Sequence, residues 1–204
     1  MDPTDTTQTI RIALLFECGL GVLALGVGWL IGHSPLVGIS NESAEFPTHV
    51  RAIGWGLVAT GPLLLALVTI ERFPVGPLRR LREMTAEVIL KMFGGATIGQ
   101  LAAVSLAAGF GEEILFRGLI QAGVSSWITG TVGLGVGLAV ASLLFGICHW
   151  LSGTYAILAV LAGAYFGLLL ILSGNILAPI IAHAAYDFLA LVYLIKPQHL
   201  IGSE

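Results

Sequence analysis

Seven side chains of this 204-residue chain are ionisable yet fall within apolar stretches: Glu17, Glu112, Glu113, Arg117, His149, His183 and Asp187. A charged residue at the centre of a spanning helix costs about 2.5–3.5 kcal/mol on insertion scales. Each therefore needs a partner or a task. Helical geometry supplies partners, because residues four apart project about 40° from one another and neighbours about 100°. In "GEEILFRG" (111–118) this pairs Glu113 with Arg117 and leaves Glu112 as the unpaired acid. In "HAAYD" it places His183 and Asp187 on one face, and in "FGICH" it places Phe145 and His149 on one face.

Three apolar segments thus each offer polar groups to one internal cavity. A carboxylate beside an imidazole in such a cavity suits general-base work, so Glu112 with His149 could activate a water. His183 and Asp187 could donate hydrogen bonds to an oxyanion if Asp187 is protonated; otherwise Asp187 orients the imidazole. Both assignments stay open on the sequence. Glu112, His149 and His183 also form a conceivable zinc set, but no HExxH occurs and Glu112 and His149 lie on different segments. The expectation is chemistry without metal or cofactor. Glu17, six residues from Arg11 and about 9 Å along a helix from it, reads as a solitary structural acid near the interface.

The elements that must position these residues follow from composition. Hydrophobic residues make up 56% of the chain and charged ones 10%, against about 25% charged in soluble domains, and mean hydropathy is +0.95. Apolar runs of about 20 residues, long enough to cross a bilayer, occupy roughly 12–32, 50–70, 96–122, 131–150, 154–173 and 176–195. The fold expected is an all-α, polytopic transmembrane bundle of about six spans, a single integral membrane domain over 1–204. Small-xxx-small glycine pairs, Gly28 with Gly32, Gly133 with Gly137 and Gly163 with Gly167, read as helix packing.

Arg72, Arg79, Arg80, Arg82 and Lys91 cluster between spans two and three, which places that segment and the amino terminus in the cytoplasm. Glu83, Glu87 and Lys91 recur at i,i+4, with Leu81, Met84, Val88 and Met92 on another side, as in a short interfacial helix set off by Pro74 and Pro77. Lipid attraction accounts for its arginines; a net charge of -3 and no aromatic-basic interleaving argue against nucleic acid. Residues 33–50, with Pro35, Asn41, Glu42, Glu45 and Pro47, read as a polar external loop. The first apolar run is too long, and its flank too poor in cations, for a cleaved signal peptide. Cys18 and Cys148 have no metal or disulfide spacing.

In order, "EEILFRG", "FGICHW" and "HAAYDF" resemble the three motifs of the CPBP family, the type II CAAX prenyl proteases and bacteriocin-processing enzymes also called the Abi family: EExxxR, FxxxH and HxxxN or HxxxB. The resemblance covers a catalytic core of about 96–195 and is strengthened by "LFRG" and "LAPIIAH". It implies an intramembrane glutamic endopeptidase in which Glu112 and His149 activate water, Glu113 and Arg117 hold the site together, and His183 with Asp187 polarises the scissile carbonyl. Asp187 departs from the familiar asparagine, whose amide donates at any pH.

The function expected is hydrolysis of a peptide or protein substrate at the bilayer, in the inner membrane of a prokaryote, as peptide processing or bacteriocin immunity. Two rivals use the same polar core. One is a non-proteolytic binding or immunity module; the other is a proton-coupled transporter with Glu112, His149 and His183 as relay, against which the lack of inverted repeats counts.

Overall fold

The computed structural model describes residues 3–39, 46–128 and 130–199. Among these all regular secondary structure is helical, and six helices are long and apolar enough to cross a membrane. The first, α1 (Pro3–Ile31), stops at Gly32, whose φ of 70° a side chain would resist. Gly32 is thus a helix terminator, while its partner in the small-residue pair, Gly28, packs against His33 and Pro35.

Span two, α2 (Phe46–Arg72), begins before the apolar run does, because Pro47 tolerates a first helical turn where its missing N–H has no partner to lose. The supposed external loop is therefore helical from Phe46 onward. Its polar part, Asn41, Glu42 and Glu45, lies outside the described residues. Helix α3 (Pro77–Phe93) is the expected amphipathic segment, with Pro77 in its first turn, Gly76 at φ 51° before it, and Leu81 buried beneath.

The third span carries the "EEILFRG" motif. Helix α4 (Ile98–Glu113) opens with a capping box, the Gln100 amide N–H donating to Thr97 Oγ1 at 3.2 Å and the Thr97 N–H to Gln100 Oε1 at 2.8 Å. It then passes without a break into a π-helix (Ile114–Gln121) and α5 (Ala122–Trp127). The span reaches Trp127 rather than residue 122. Helices α6 (Gly130–Cys148), α7 (Gly153–Ser173) and α8 (Leu177–His199) follow. Ser152 caps α7 by accepting the Tyr155 N–H, and Gly174 ends it at φ 65°.

Packing rests on small residues that let backbones meet. A methyl added at Gly109 would strike Ala184 of α8, one at Gly56 the Ala178 carbonyl, one at Gly146 Val160 of α7, and one at Gly111 the Glu17 carbonyl of α1. The outer surface is apolar, with Leu15, Trp29, Val58 and Leu172 between 73 and 81% exposed, whereas Glu113 and Arg117 are 0% exposed. That inversion suits a lipid surround. Cys18 and Cys148 are free and on the exposed side.

Candidate active site

The site forms where the last turn of α4, the π-helix, the end of α6 and the first half of α8 meet. Arg117 Nε lies 3.1 Å from Glu113 Oε2, both side chains wholly buried. The approach is an ion pair rather than an aligned hydrogen bond, since neither atom has a hydrogen-bond partner. Arg117 Nη2 instead donates to the Gly163 carbonyl of α7 at 3.0 Å. The guanidinium carbon sits 4.4 Å from the centre of the Phe145 ring and 5.4 Å from that of Phe166, so aromatic faces share in holding the charge.

The other Glu113 oxygen reaches across to α8. His183 Nδ1–H donates to Glu113 Oε1 at 2.8 Å, and the same ring stacks on Phe166 at 4.9 Å. His183 Nε2 then faces Asp187 Oδ2 at 3.4 Å. With Nδ1 committed as a donor, a proton must lie between Nε2 and Oδ2, on one atom or the other, for that approach to be attractive.

Glu112, 8% exposed, points the other way. Its Oε2 is 3.6 Å from His149 Nε2, beyond a direct hydrogen bond. His149 stands one residue past α6, where its Nδ1–H donates to the Phe145 carbonyl at 2.8 Å and its ring stacks on Phe145 at 4.3 Å. That bond fixes the tautomer, leaving the Nε2 lone pair toward Glu112.

The spacing argument thus located the Glu113–Arg117, His183–Asp187 and Phe145–His149 pairings, and the chain brings Glu112 to His149. It did not reach the Glu113–His183 bond, which joins residues 70 apart in sequence and leaves no local periodicity. It also passed over Gln121, buried in the π-helix, whose Nε2 donates to the Gly167 carbonyl at 3.0 Å. Here a signal existed: Arg117 and Gln121 are four apart, as are the carbonyls they clip, Gly163 and Gly167. Phe166 under His183, and Tyr155 with its ring 6.4 Å from that of His149, were unremarkable among apolar neighbours.

Glu17 is a correction. It lies near the middle of the span Thr6–Ile31 rather than at the interface. Its carboxyl is within electrostatic reach of His183, Asp187 and Glu112, so it is not solitary. The helical crossing at Gly111 brings it there, a contact that no single-helix argument detects. Among the described residues, no three His, Cys, Asp or Glu side chains meet in a metal-holding arrangement.

No match is found among curated proteins or among solved structures. Residues 94–189, which hold every motif residue from Glu112 to Asp187, match the family model described as Type II CAAX prenyl endopeptidase Rce1-like. The α4-to-α8 core of this membrane protein is accordingly similar to that protease family.

Proposed function

We propose that the chain is an intramembrane endopeptidase of the glutamic type, hydrolysing a peptide bond of a membrane-associated peptide or protein. The observation that carries this reading is the pairing of Glu112 with His149: an acid without a hydrogen-bond partner at Oε2, facing an imidazole whose tautomer is set to accept a proton. A water between the two would lose a proton to them as it attacks the scissile carbonyl. The proton then passes to the leaving amine nitrogen, releasing two peptide ends and restoring the pair.

Charge develops on the carbonyl oxygen in that step, and His183 is the group fitted to receive it. Its ring is clamped by Glu113 and by Phe166, so its N–H is held in place rather than reorganised during the reaction. Asp187 either donates alongside it as a protonated acid or steadies the Nε2 proton. Arg117 neutralises Glu113 and ties it to α7, a positioning task.

The reading is metal-independent. Zinc would require Glu112, His149 and His183 to converge, whereas both nitrogens of His183 face carboxyl groups. Exhaustive chelation should leave cleavage intact; loss reversed by added zinc would overturn this part.

The deciding experiment is cleavage of a fluorogenic peptide library by detergent-solubilised protein, comparing wild type with Glu112→Gln and His149→Ala. The expected result is cleavage by wild type that both folded variants lack. Equal cleavage by variant and wild type, or none by a folded wild type against membrane-associated peptides, would move the binding-module reading ahead.

A further inference from the structure

Four carboxyl groups face the site: Glu113, bonded to His183 and Arg117; Asp187, beside His183; Glu112, beside His149; and Glu17. The cations available to them are Arg117 and, when protonated, His149 and His183. Even with both rings charged, the acids outnumber the cations. The surplus is not shared evenly, because each of the first three has a cationic or titratable partner within 3.6 Å. Glu17 has no such partner among the described residues, and its Oε2 is shut away from solvent without a donor. Glu112 Oε2, on a side chain nine-tenths buried, is likewise without a hydrogen-bond donor.

A buried carboxylate oxygen that no donor reaches is costly. Among the described residues no donor meets that oxygen of Glu17. Helix α1 is pressed against α4 at Gly111, the residue before Glu112, with Gly21 making room one turn on. Glu17 itself remains half-buried, flanked on α1 by the exposed Leu15, Phe16 and Cys18. Its carboxyl lies within electrostatic reach of Glu112, His183 and Asp187, so a cation bound in the site comes within reach of it as well.

We propose that Glu17 is a specificity-determining residue of this site, selecting substrates that carry a basic side chain close to the scissile bond. The inference rests on the protease reading above for what the site does, but the selectivity is a binding property. A lysine ammonium or arginine guanidinium there supplies both the missing donor and the missing charge, whereas a neutral substrate N–H supplies only the donor.

The test is binding, read apart from cleavage. Fluorescein-labelled neutral decapeptides, each with one lysine at a different position, are compared with norleucine counterparts by anisotropy against the full-length protein in detergent. Wild type should bind at least one lysine peptide about tenfold or more tightly than its norleucine twin. Glu17→Gln should reduce that ratio to near one, Glu17→Asp should retain part of it, and Glu87→Gln on α3 should retain all of it. No lysine preference in wild type, or one that survives in a folded Glu17→Gln, overturns the proposal. Since wild type alone can fail the test, a poorly folding variant does not rescue the idea. Cleavage of the same peptides bears only on the protease reading: lysine-selective binding without turnover would sink that reading and leave this one standing.

Discussion

Glu113 and Glu112 are adjacent in sequence and opposite in circumstance. Glu113 is fully enclosed, with Arg117 on one oxygen and His183 on the other; Glu112 has an oxygen that no donor reaches. Stability and activity should therefore separate between them. Arg117→Ala strands a buried carboxylate and is expected to cost about 3–5 kcal/mol, read as a large drop in the unfolding midpoint in detergent. Glu112→Gln removes a buried carboxyl oxygen that no donor reaches, so its midpoint should stay level or rise while cleavage falls by at least about a hundredfold. A Glu112→Gln protein as unstable as Arg117→Ala would contradict the division. Asp187→Asn tests the other end of the site. An amide can accept from His183 and still present an N–H to the oxyanion, so turnover should hold or rise by up to about tenfold. A loss of more than about a hundredfold would show that the carboxyl itself takes part.

Among the elements, the π-helix is the one that sets the geometry. It begins just after the two acids and ends at Gln121, and its widened turn presents Arg117 and Gln121 to successive α7 carbonyls. π-helical turns concentrate at functional sites because tertiary contacts must sustain them. On its far side Gly118 lies against the backbone of Pro35 and against Ile176, and its carbonyl accepts from His33 Nε2 at 2.9 Å. Gly118→Ala would drive a methyl into the Pro35 carbonyl. It should cost about 1–3 kcal/mol and reduce cleavage, measured beside Gly19→Ala, where nothing lies within 4 Å and the change should stay within about 0.5 kcal/mol. The six spans were legible because each is a run of apolar residues, and α3 because its charges recur at helical spacing. The π-helix was not, since hydropathy runs unbroken from α4 into α5 and the i→i+5 pattern answers to α7 and the 33–39 turn. Pairs that share a helix were legible from spacing, and Glu112 with His149 from the chemistry the two suit; Glu113 with His183, and Glu17 with Glu112, were hidden because they join two helices and leave no local periodicity.

At the scale of the whole molecule, unequal span lengths explain where the site can open. The third span runs 30 residues from Ile98 to Trp127, whereas α6 has 19, a difference of about 16 Å at the helical rise. Helix α6 therefore ends beside Glu112, well short of the level at which α4 begins, and the turn bearing His149 hangs within the thickness of the membrane. Helix α3 closes the space beneath. Its Gly76, Pro77, Arg80, Leu81 and Met84 line a cavity of about 590 Å³ together with Ser152 and Thr154 from the start of α7. That wedge borders the start of α7, three residues past His149 at Ser152, and is walled on its other side by the basic helix. If cations stay inside, as the charge bias of α3 requires, a cysteine-free background carrying Glu83→Cys should react with a membrane-impermeant maleimide only from the cytoplasmic side, and one carrying Trp127→Cys only from the opposite side. A bulky label at Met84→Cys should then block cleavage, because it fills the wedge. The reverse labelling pattern would put the wedge on the outer face, and cleavage unaffected at Met84 would mean that substrate enters laterally from lipid, along α1 and Glu17.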